Sequence, residues 1–302
     1  MKIAIVVFSP SGNTLKVAEM LKKELVKQEN EVQLLDITRN REIFKTGGFK
    51  DFLDKQLEEH DLLCIGGPVY AHHLHYNVQD VIRSLPRPGG KWGKLAIPFV
   101  TYGTISSGIA LHEASVLLKR SGRKTIYGMK LEAFHCMSRL LSIQVGKGLP
   151  DQGSLVIIRE LVKRIGLLNK TQWGQASDIT PTLDYQSLIG KLKAKCIFRE
   201  RFWHRHIYPQ LEIKHDSCKL CGQCIKACPV QRLMIIKGTV AMSQGPECIH
   251  CGECIRACPV QAIKFQCDLQ KWEHLFAEAA EGKGPMPSRE RPKSSIYPFG
   301  GL

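Results

Sequence analysis

The 302-residue sequence lacks any apolar run that approaches the roughly 18 residues of a membrane-spanning helix. It also lacks a secretory signal, because the apolar run at residues 3–8 ends in Ser9-Pro10-Ser11-Gly12 without a small-residue cleavage pattern. We therefore expect residues 3–8 to form a buried strand and the protein to be cytoplasmic. With 43% hydrophobic and 24% charged residues, the composition is that of a folded globular chain and excludes wholesale disorder.

Acidic residues are scarce beside basic ones: 28 Asp and Glu stand against 43 Lys and Arg, which gives a formal net charge of +15. Such an excess can indicate nucleic-acid binding or an acidic partner. The basic residues are spread over several segments, and the sequence has no nucleic-acid-binding motif. Nucleic acid is therefore not an expected partner.

Residues 1–166 alternate short apolar runs with stretches of helical periodicity. The runs predict strands at residues 3–8, 32–37, 62–66, 95–101 and 125–131. The periodic stretches predict helices at residues 14–28, 50–59, 78–85, 108–121 and 154–166. Near-continuous apolar strands separated by helices favour an α/β domain whose parallel sheet is covered on both faces.

Residues 167–215 lose this alternation and are basic, so we expect a helical connector. Its apolar residues fall approximately on one helical face, namely Tyr185, Leu188, Ile189, Leu192, Cys196 and Trp203. We expect this face to pack on the neighbouring domain. The alternative is a basic amphipathic helix that lies on a membrane surface or on an acidic partner. After a compact unit at residues 216–267, residues 268–302 are expected to form a C-terminal helix and an extended tail.

The compact unit holds two copies of the pattern C-x-x-C-x-x-C-x-x-x-C-P. The first copy has Cys218, Cys221, Cys224 and Cys228, and the second has Cys248, Cys251, Cys254 and Cys258. Three cysteines two residues apart on a tight loop can meet three corners of a cubane cluster, whereas the fourth cannot. Zinc sites commonly use two separated C-x-x-C pairs, so zinc fits this doubled pattern less well. Disulfides fit less well because thiols stay reduced in a cytoplasmic protein. The other four cysteines, Cys64, Cys136, Cys196 and Cys267, lack partners at metal-ligand spacing.

This unit resembles the bacterial dicluster ferredoxins across both halves. The resemblance implies a small α+β domain with two 4Fe-4S clusters, in which the fourth cysteine of each run binds the other cluster. It implies one ligand set of Cys218, Cys221, Cys224 and Cys258. It implies a second set of Cys248, Cys251, Cys254 and Cys228.

The loop from Ser9 to Thr14 lies between the first predicted strand and the first predicted helix. Its hydroxyls, its glycine and the helix N-terminus suit a phosphate group. It is neither a P-loop nor a dinucleotide fingerprint, since it lacks the Gly-Lys-Ser/Thr ending and the G-x-G-x-x-G spacing. For this loop alone, an ordinary Ser/Gly helix cap is a competing interpretation.

The loop looks like that of flavodoxins, which bind the single phosphate of FMN, and two further loops fit that family. The resemblance implies a doubly wound five-stranded parallel sheet of order 2-1-3-4-5, with FMN beyond the carboxyl ends of its strands. The residues it implies as FMN contacts are Ser9, Ser11, Gly12, Asn13, Thr14, Pro68, Tyr70, Ala71, Thr101, Tyr102 and Gly103.

Two neighbouring features are of interest for the same site. His72, His73 and His75 could supply a proton to a flavin, although the more usual role of such histidines is at a solvated surface. Residues 133–153 are a longer connection than the fold needs, which predicts a lid over the flavin or a partner-binding loop.

Together the two halves resemble fusions of a flavodoxin and a ferredoxin found in bacteria and archaea. The resemblance implies an iron–sulfur flavoprotein that transfers electrons between FMN and two 4Fe-4S clusters and on to a redox partner. The excess of basic residues leads us to expect that the partner is acidic. The alternatives are an FMN-dependent reductase of a small substrate and a membrane-surface electron carrier.

Overall fold

The N-terminal domain is built on a parallel sheet in the computed structural model, which describes residues 1–46, 48–168, 176–281 and 293–298. Its strands are β1 (Lys2–Val7), β2 (Glu31–Asp36), β3 (His60–Tyr70), β4 (His73–Leu74), β5 (Trp92–Tyr102), β6 (Lys124–Thr125) and β7 (Gly128–Glu132). Its helices are α1 (Asn13–Val26), α2 (Arg41–Thr46), α3 (Phe49–Gln56), α4 (Tyr76–Ser84), α5 (Ala110–Arg120) and α6 (Gln152–Gly166). The α/β class is confirmed.

The main strands lie in the order β2-β1-β3-β5-β7, and every neighbouring pair among them is parallel. Numbered as five strands, this order is 2-1-3-4-5. The predicted fifth strand is interrupted, because Ala96 pairs with Thr125 whereas Phe99 pairs with Met129, so the register shifts by one residue. Apolar clusters cover both faces of the sheet, and the carboxyl ends of β1, β3 and β5 share one edge.

The connector has two helices, α7 (Leu188–Cys196) and α8 (Glu200–His206). The expectation that its apolar stripe packs on the neighbouring domain is wrong for α7: Leu188, Ile189 and Leu192 are exposed, whereas Gly190 and Ala194 are buried. The small residues allow the helix backbone to approach the N-terminal domain closely. Because the chain leaves helical structure between α7 and α8, the two parts of the stripe do not form one continuous face.

The cysteine-rich unit is a small α+β domain. It contains β8 (Gln210–Ile213), α9 (Gln223–Ala227), β9 (Leu233–Ile236), β10 (Thr239–Met242), α10 (Glu253–Ala257) and β11 (Ile263–Gln266). Antiparallel pairs join β9 to β10 and β8 to β11. The unit therefore extends into the predicted connector: β8 pairs with β11 because Leu211 and Ile213 alternate toward its core.

The C-terminal segment contains a helix and a short strand, and the rest of the expected extended tail, residues 282–292 and 299–302, lies outside the described residues. Helix α11 (Leu269–Ala280) follows the cysteine-rich unit, and β12 (Ser295–Tyr297) pairs antiparallel with β7, adding an edge strand to the main sheet. Ile296 and Tyr297 are buried there. The sequence did not predict this strand, because a three-residue strand is too short to show a periodicity. No helix in the described ranges is both long and apolar enough to cross a membrane.

Candidate functional site

A cleft lies where the loops after β1, β3 and β5 meet. Eight of the eleven residues predicted to contact FMN line it, namely Ser11, Asn13, Pro68, Tyr70, Ala71, Thr101, Tyr102 and Gly103. Its remaining walls come from Val69, from Tyr208 and from residues 133–137. The three predicted loops therefore converge at one edge of the sheet, as parallel strands in this order require.

The other three predicted residues, Ser9, Gly12 and Thr14, do not line the cleft but help to fix the conformation of its first loop. The Ser9 hydroxyl accepts the backbone N–H of Leu15 at 2.8 Å, so Ser9 acts as a cap for the first turn of α1. The hydroxyls of Thr14 and Thr101 are 2.7 Å apart and join the first loop to the end of β5. Gly12 has a left-handed backbone with φ 86°, which a side chain would strain.

The segment of residues 133–153 contributes its first five residues, 133–137, to one side of the cleft. The side-chain amide of Asn13 donates to the Phe134 carbonyl at 2.8 Å, and the Lys16 ammonium donates to the Pro150 carbonyl at 2.6 Å. The segment is therefore fastened to α1 at both ends. The length of this segment was the only feature of the sequence that indicated a function for it. Phe134, Cys136 and Met137 were not predicted to line the cleft.

His135 is the most distinctive polar residue of this segment. Its ring lies so close to Gly103 that a Cβ there would be 2.2 Å from its Cδ2 atom. Burial lowers the pKa of His135 to about 4, so the imidazole is neutral near pH 7. Among the described residues its Nδ1 atom is buried and has no hydrogen-bond partner. A neutral imidazole with an unsatisfied nitrogen in the cleft wall fits a polar heterocyclic ligand.

The three histidines after β3 have different surroundings. His73 is held between the Glu113 carboxylate, 2.7 Å from Nδ1, and the Ala194 carbonyl, 2.8 Å from Nε2. His75 is fully buried and accepts the Asn77 backbone N–H at the start of α4. Only His72 lines a cavity, where its ring packs edge-on against Phe198. His73 and His75 are therefore held by contacts within the fold and line neither the cleft nor the larger cavity.

A larger cavity of about 790 Å³ adjoins the cleft and shares six of its lining residues. Its outer wall comes from the connector, β8 and α11, and is rich in aromatic rings. These rings are Phe198, Trp203, Tyr208, Trp272 and Phe276. The cleft itself holds about 70 Å³, so a molecule of cofactor size would extend from it into the larger cavity.

The cysteines of the repeat surround two separate cavities. One cavity is lined by Cys218, Cys221, Cys224 and Cys258. The other is lined by Cys228, Cys248, Cys251 and Cys254. Each cavity therefore brings together three cysteines of one run and the fourth of the other, which is the grouping expected from the ferredoxin resemblance.

The two halves of the repeat match in their backbone as well. Gly222 and Gly252 both take left-handed conformations where α9 and α10 begin, with φ 70° and 75°. The Cys228 sulfur accepts the Arg232 backbone N–H, and the Cys258 sulfur accepts that of Ala262, both at 3.2 Å. N–H···S hydrogen bonds of this kind accompany thiolates that bind iron–sulfur clusters. None of the twelve cysteines is in a disulfide.

Comparison with protein-family models identifies this region: residues 217–263 match the 4Fe-4S dicluster domain. The chain therefore joins a domain with the strand order of the flavodoxin-like fold to a region that matches the 4Fe-4S dicluster domain. In the described part of the chain, no three His, Cys, Asp or Glu side chains are arranged to hold a single metal ion.

The flavodoxin-like domain has similar solved structures, all of low sequence identity. A flavodoxin from the domain Archaea is 18% identical over 55% of this chain and 96% of its own, with a TM-score of 0.37. Flavodoxin 1 from Bacillus cereus is 18% identical over 56% of this chain and 100% of its own, with a TM-score of 0.39. An NADH:FMN oxidoreductase is 17% identical over 61% of this chain and 98% of its own, with a TM-score of 0.42. At these scores the fold rests on the strand pairing described above. The search of curated proteins found no match.

The dicluster domain packs against the flavodoxin-like domain through one of its two cysteine sets. Cys228, Val230, Ile249 and Cys251 belong to the same apolar cluster as the residues that cover one face of the main sheet. The backbone N–H of Arg39, after β2, donates to the Pro229 carbonyl at 2.8 Å. We call the set of Cys228, Cys248, Cys251 and Cys254 the inner set. The set of Cys218, Cys221, Cys224 and Cys258, in which Cys221 is exposed, is the outer set.

Proposed function

We propose that the chain transfers electrons between an FMN bound at the cleft and two 4Fe-4S clusters bound by the inner and outer cysteine sets. The observation that carries the proposal is the position of the inner set beside the cleft. Tyr208 lines the cleft, and its ring centroid lies 5.4 Å from that of His250, which lines the cavity of the inner set next to Cys251. One aromatic contact therefore separates the cleft from the inner set.

The residues at the cleft fit FMN in both polarity and shape. Ser11 and Asn13 offer a hydroxyl and an amide beside the N-terminus of α1, where the helix dipole favours a phosphate. The orphaned nitrogen of His135 can hydrogen-bond a ring heteroatom farther along the cleft. Bound FMN can exchange electrons one or two at a time, whereas a 4Fe-4S cluster exchanges one.

The outer set is the better candidate to face a redox partner. Cys221 is exposed, and so are the neighbouring cations of Lys214, Lys219 and Lys226. Asp216 is an exposed acid in the same stretch, and a bound cluster with its four thiolates would add about two negative charges, so these cations balance the charge of the loaded site. The basic excess that would attract an acidic partner therefore belongs to the flavodoxin-like domain and the connector, and salt would weaken the partner's approach.

Stepwise anaerobic reduction tests whether the cofactors communicate. In the fully loaded protein, we expect dithionite titration to bleach the flavin and cluster absorbance in linked stages and to produce cluster EPR signals. Full reduction of FMN with no change in cluster absorbance and no EPR signal would contradict the proposal. A titration of the isolated cofactor FMN under the same conditions provides the reference spectrum.

A second candidate, a flavin-dependent reductase of a small substrate, is favoured by the aromatic cavity that adjoins the cleft. The cavity is wide enough to admit a planar molecule beside a cofactor in the cleft. Turnover of a planar aromatic oxidant such as a soluble quinone, lost when Trp272→Ala opens the cavity wall, would support this candidate. Equal turnover in both proteins would argue for electron transfer to protein partners alone.

A further inference from the structure

Helix α7 presents its large apolar residues to solvent. Leu188, Ile189 and Leu192 are 81%, 69% and 64% exposed, whereas Gly190 and Ala194 on the opposite face are buried. Residues four apart lie on the same face of a helix, so Leu188 stacks with Leu192 and Gly190 with Ala194. This arrangement is the reverse of an ordinary surface helix, which turns its large apolar residues inward.

The fold holds α7 in this orientation with specific contacts. The Ser187 side chain accepts the Gly190 N–H and caps the helix, and the Lys191 ammonium pairs with Asp184 at 2.8 Å. On the buried side, the Ala194 carbonyl is 2.8 Å from Nε2 of His73. The apolar residues therefore project from an anchored helix, and rotating them inward would break these contacts.

Further exposed apolar residues follow α7 along the chain, and cations accompany them. Ile197, Phe202 and Ile207 are each about half exposed, and Ile207 also lines the aromatic cavity. Lys195 and Arg199 are exposed beside these residues. Large apolar side chains flanked by cations are the composition of helices that lie in the interface of an anionic membrane.

We propose that α7 binds this protein to the surface of an anionic lipid bilayer, with Leu188, Ile189 and Leu192 inserted among the headgroups. Several projecting side chains beside cations match a layer of anionic headgroups over an apolar interior. Neither FMN nor the clusters take part in this contact.

Vesicle flotation of the full-length, cofactor-loaded protein tests the proposal at physiological salt. We expect the protein to float with vesicles of phosphatidylcholine and phosphatidylglycerol and to bind vesicles of phosphatidylcholine alone much more weakly. The triple variant Leu188→Ser, Ile189→Ser, Leu192→Ser should bind the anionic vesicles at least about tenfold more weakly, because three inserted side chains are lost. The double variant Lys195→Gln, Arg199→Gln should also weaken binding to anionic vesicles.

A matched triple variant removes apolar residues of comparable exposure elsewhere: Val26→Ser, Val156→Ser, Leu167→Ser. It should bind as the wild type does. Failure of the wild type to float with anionic vesicles overturns the proposal and leaves an acidic protein as the occupant of this face. Equal losses in the two triple variants, or equal binding to both vesicle types, overturn it too.

A gain-of-signal variant guards against misfolding of the serine variants. Leu192→Trp keeps the face apolar, and its fluorescence should shift to the blue on anionic vesicles and be quenched by brominated lipid. An emission spectrum unchanged by anionic vesicles would contradict insertion. Cluster absorbance at the wild-type level verifies that each variant is folded around its cofactors.

Discussion

The Tyr70 hydroxyl lies 3.7 Å from the Cys136 sulfur, so a contact joins the end of β3 to the segment of residues 133–153. Both residues line the cleft. Burial raises the pKa of the Cys136 thiol, as it raises that of Tyr70. The contact therefore joins two neutral groups. The Cys251 thiol of the inner set also helps to raise the pKa of Tyr70, which indicates that this side of the cleft faces the inner set.

Removing the Tyr70 ring should weaken electron exchange between the cleft and the inner set. We expect Tyr70→Ala to slow electron exchange between the flavin and the inner cluster, because a buried ring of the cleft wall on the side of Cys251 is lost. Tyr70→Phe keeps the ring and should behave almost as the wild type. Flash photoreduction, with absorbance followed at flavin and cluster wavelengths, measures the rate. Identical rates in Tyr70→Ala and the wild type would exclude Tyr70 from the pathway.

The grouping of the cysteines predicts which substitutions act on the same cluster. Cys258→Ser should affect the same EPR signal as Cys218→Ser, whereas Cys228→Ser should affect the other signal together with Cys248→Ser. Loss of one cluster would reduce the iron content from about eight to about four per chain. Cys196→Ser, on the exposed face of α7, should keep all the iron. If Cys258→Ser instead matched Cys248→Ser, each run would bind its own cluster and the crossed grouping would be wrong.

The ion pair between Arg139 and Glu253 should stabilise the contact between the two domains. Their side chains meet at 2.6 Å, and the Glu253 carboxylate is almost fully buried. Arg256 is a second partner at 2.8 Å, so Arg139→Gln leaves the carboxylate partly compensated. We expect a loss of about 1–3 kcal/mol in the free energy of unfolding of the dicluster domain.

Urea unfolding followed by cluster absorbance measures this loss. Arg83→Gln is the matched control, because Arg83 pairs with Asp80 on an exposed face at a similar 2.7 Å. The control should change stability by less than about 1 kcal/mol. Equal midpoints for the two variants would show that the Arg139 pair does not hold the domains together.

The buried imidazole of His135 should make stability depend on pH. Its folded pKa of about 4 lies below the ordinary value of about 6.5, so the unfolded chain binds the extra proton more readily between these values. The stabilising contribution is complete above pH 6.5 and is lost as pH falls toward 4. Between pH 7 and 5.5 we expect the wild type to lose about 1 kcal/mol more than His135→Gln. Parallel losses in the two proteins, measured from urea midpoints, would contradict a buried neutral His135.

The sequence predicted the sheet and the loops well because both depend on local patterns. Continuous apolar runs become buried strands, and the loops after them meet at one edge wherever parallel strands lie in this order. The grouping of the cysteines was expected from the resemblance to dicluster ferredoxins, in which the fourth cysteine of each run binds the other cluster.

Features that depend on distant contacts were not predictable. The residues around Ser295–Tyr297 contain no pattern that predicts pairing with β7. Nor does the sequence predict that the Tyr102 hydroxyl donates to the Lys293 carbonyl. The apolar periodicity of α7 predicted a face that packs on the neighbouring domain. Whether such a face is buried depends on which side of the helix the neighbouring domain contacts, and the helix's own sequence does not determine that. The burial of His135 was not predictable for a related reason, because it depends on contacts with Gly103 and Phe276, which are distant in the sequence.

The central claim is that one chain holds one FMN and two 4Fe-4S clusters. Cofactor analysis of anaerobically purified protein tests it most directly, with iron, acid-labile sulfide and flavin measured on the same sample. The account predicts about eight iron, about eight sulfide and one FMN per chain. Protein that reaches full iron content and yet neither contains flavin nor binds added FMN would contradict the cleft assignment, and zinc in place of iron and sulfide would contradict the clusters.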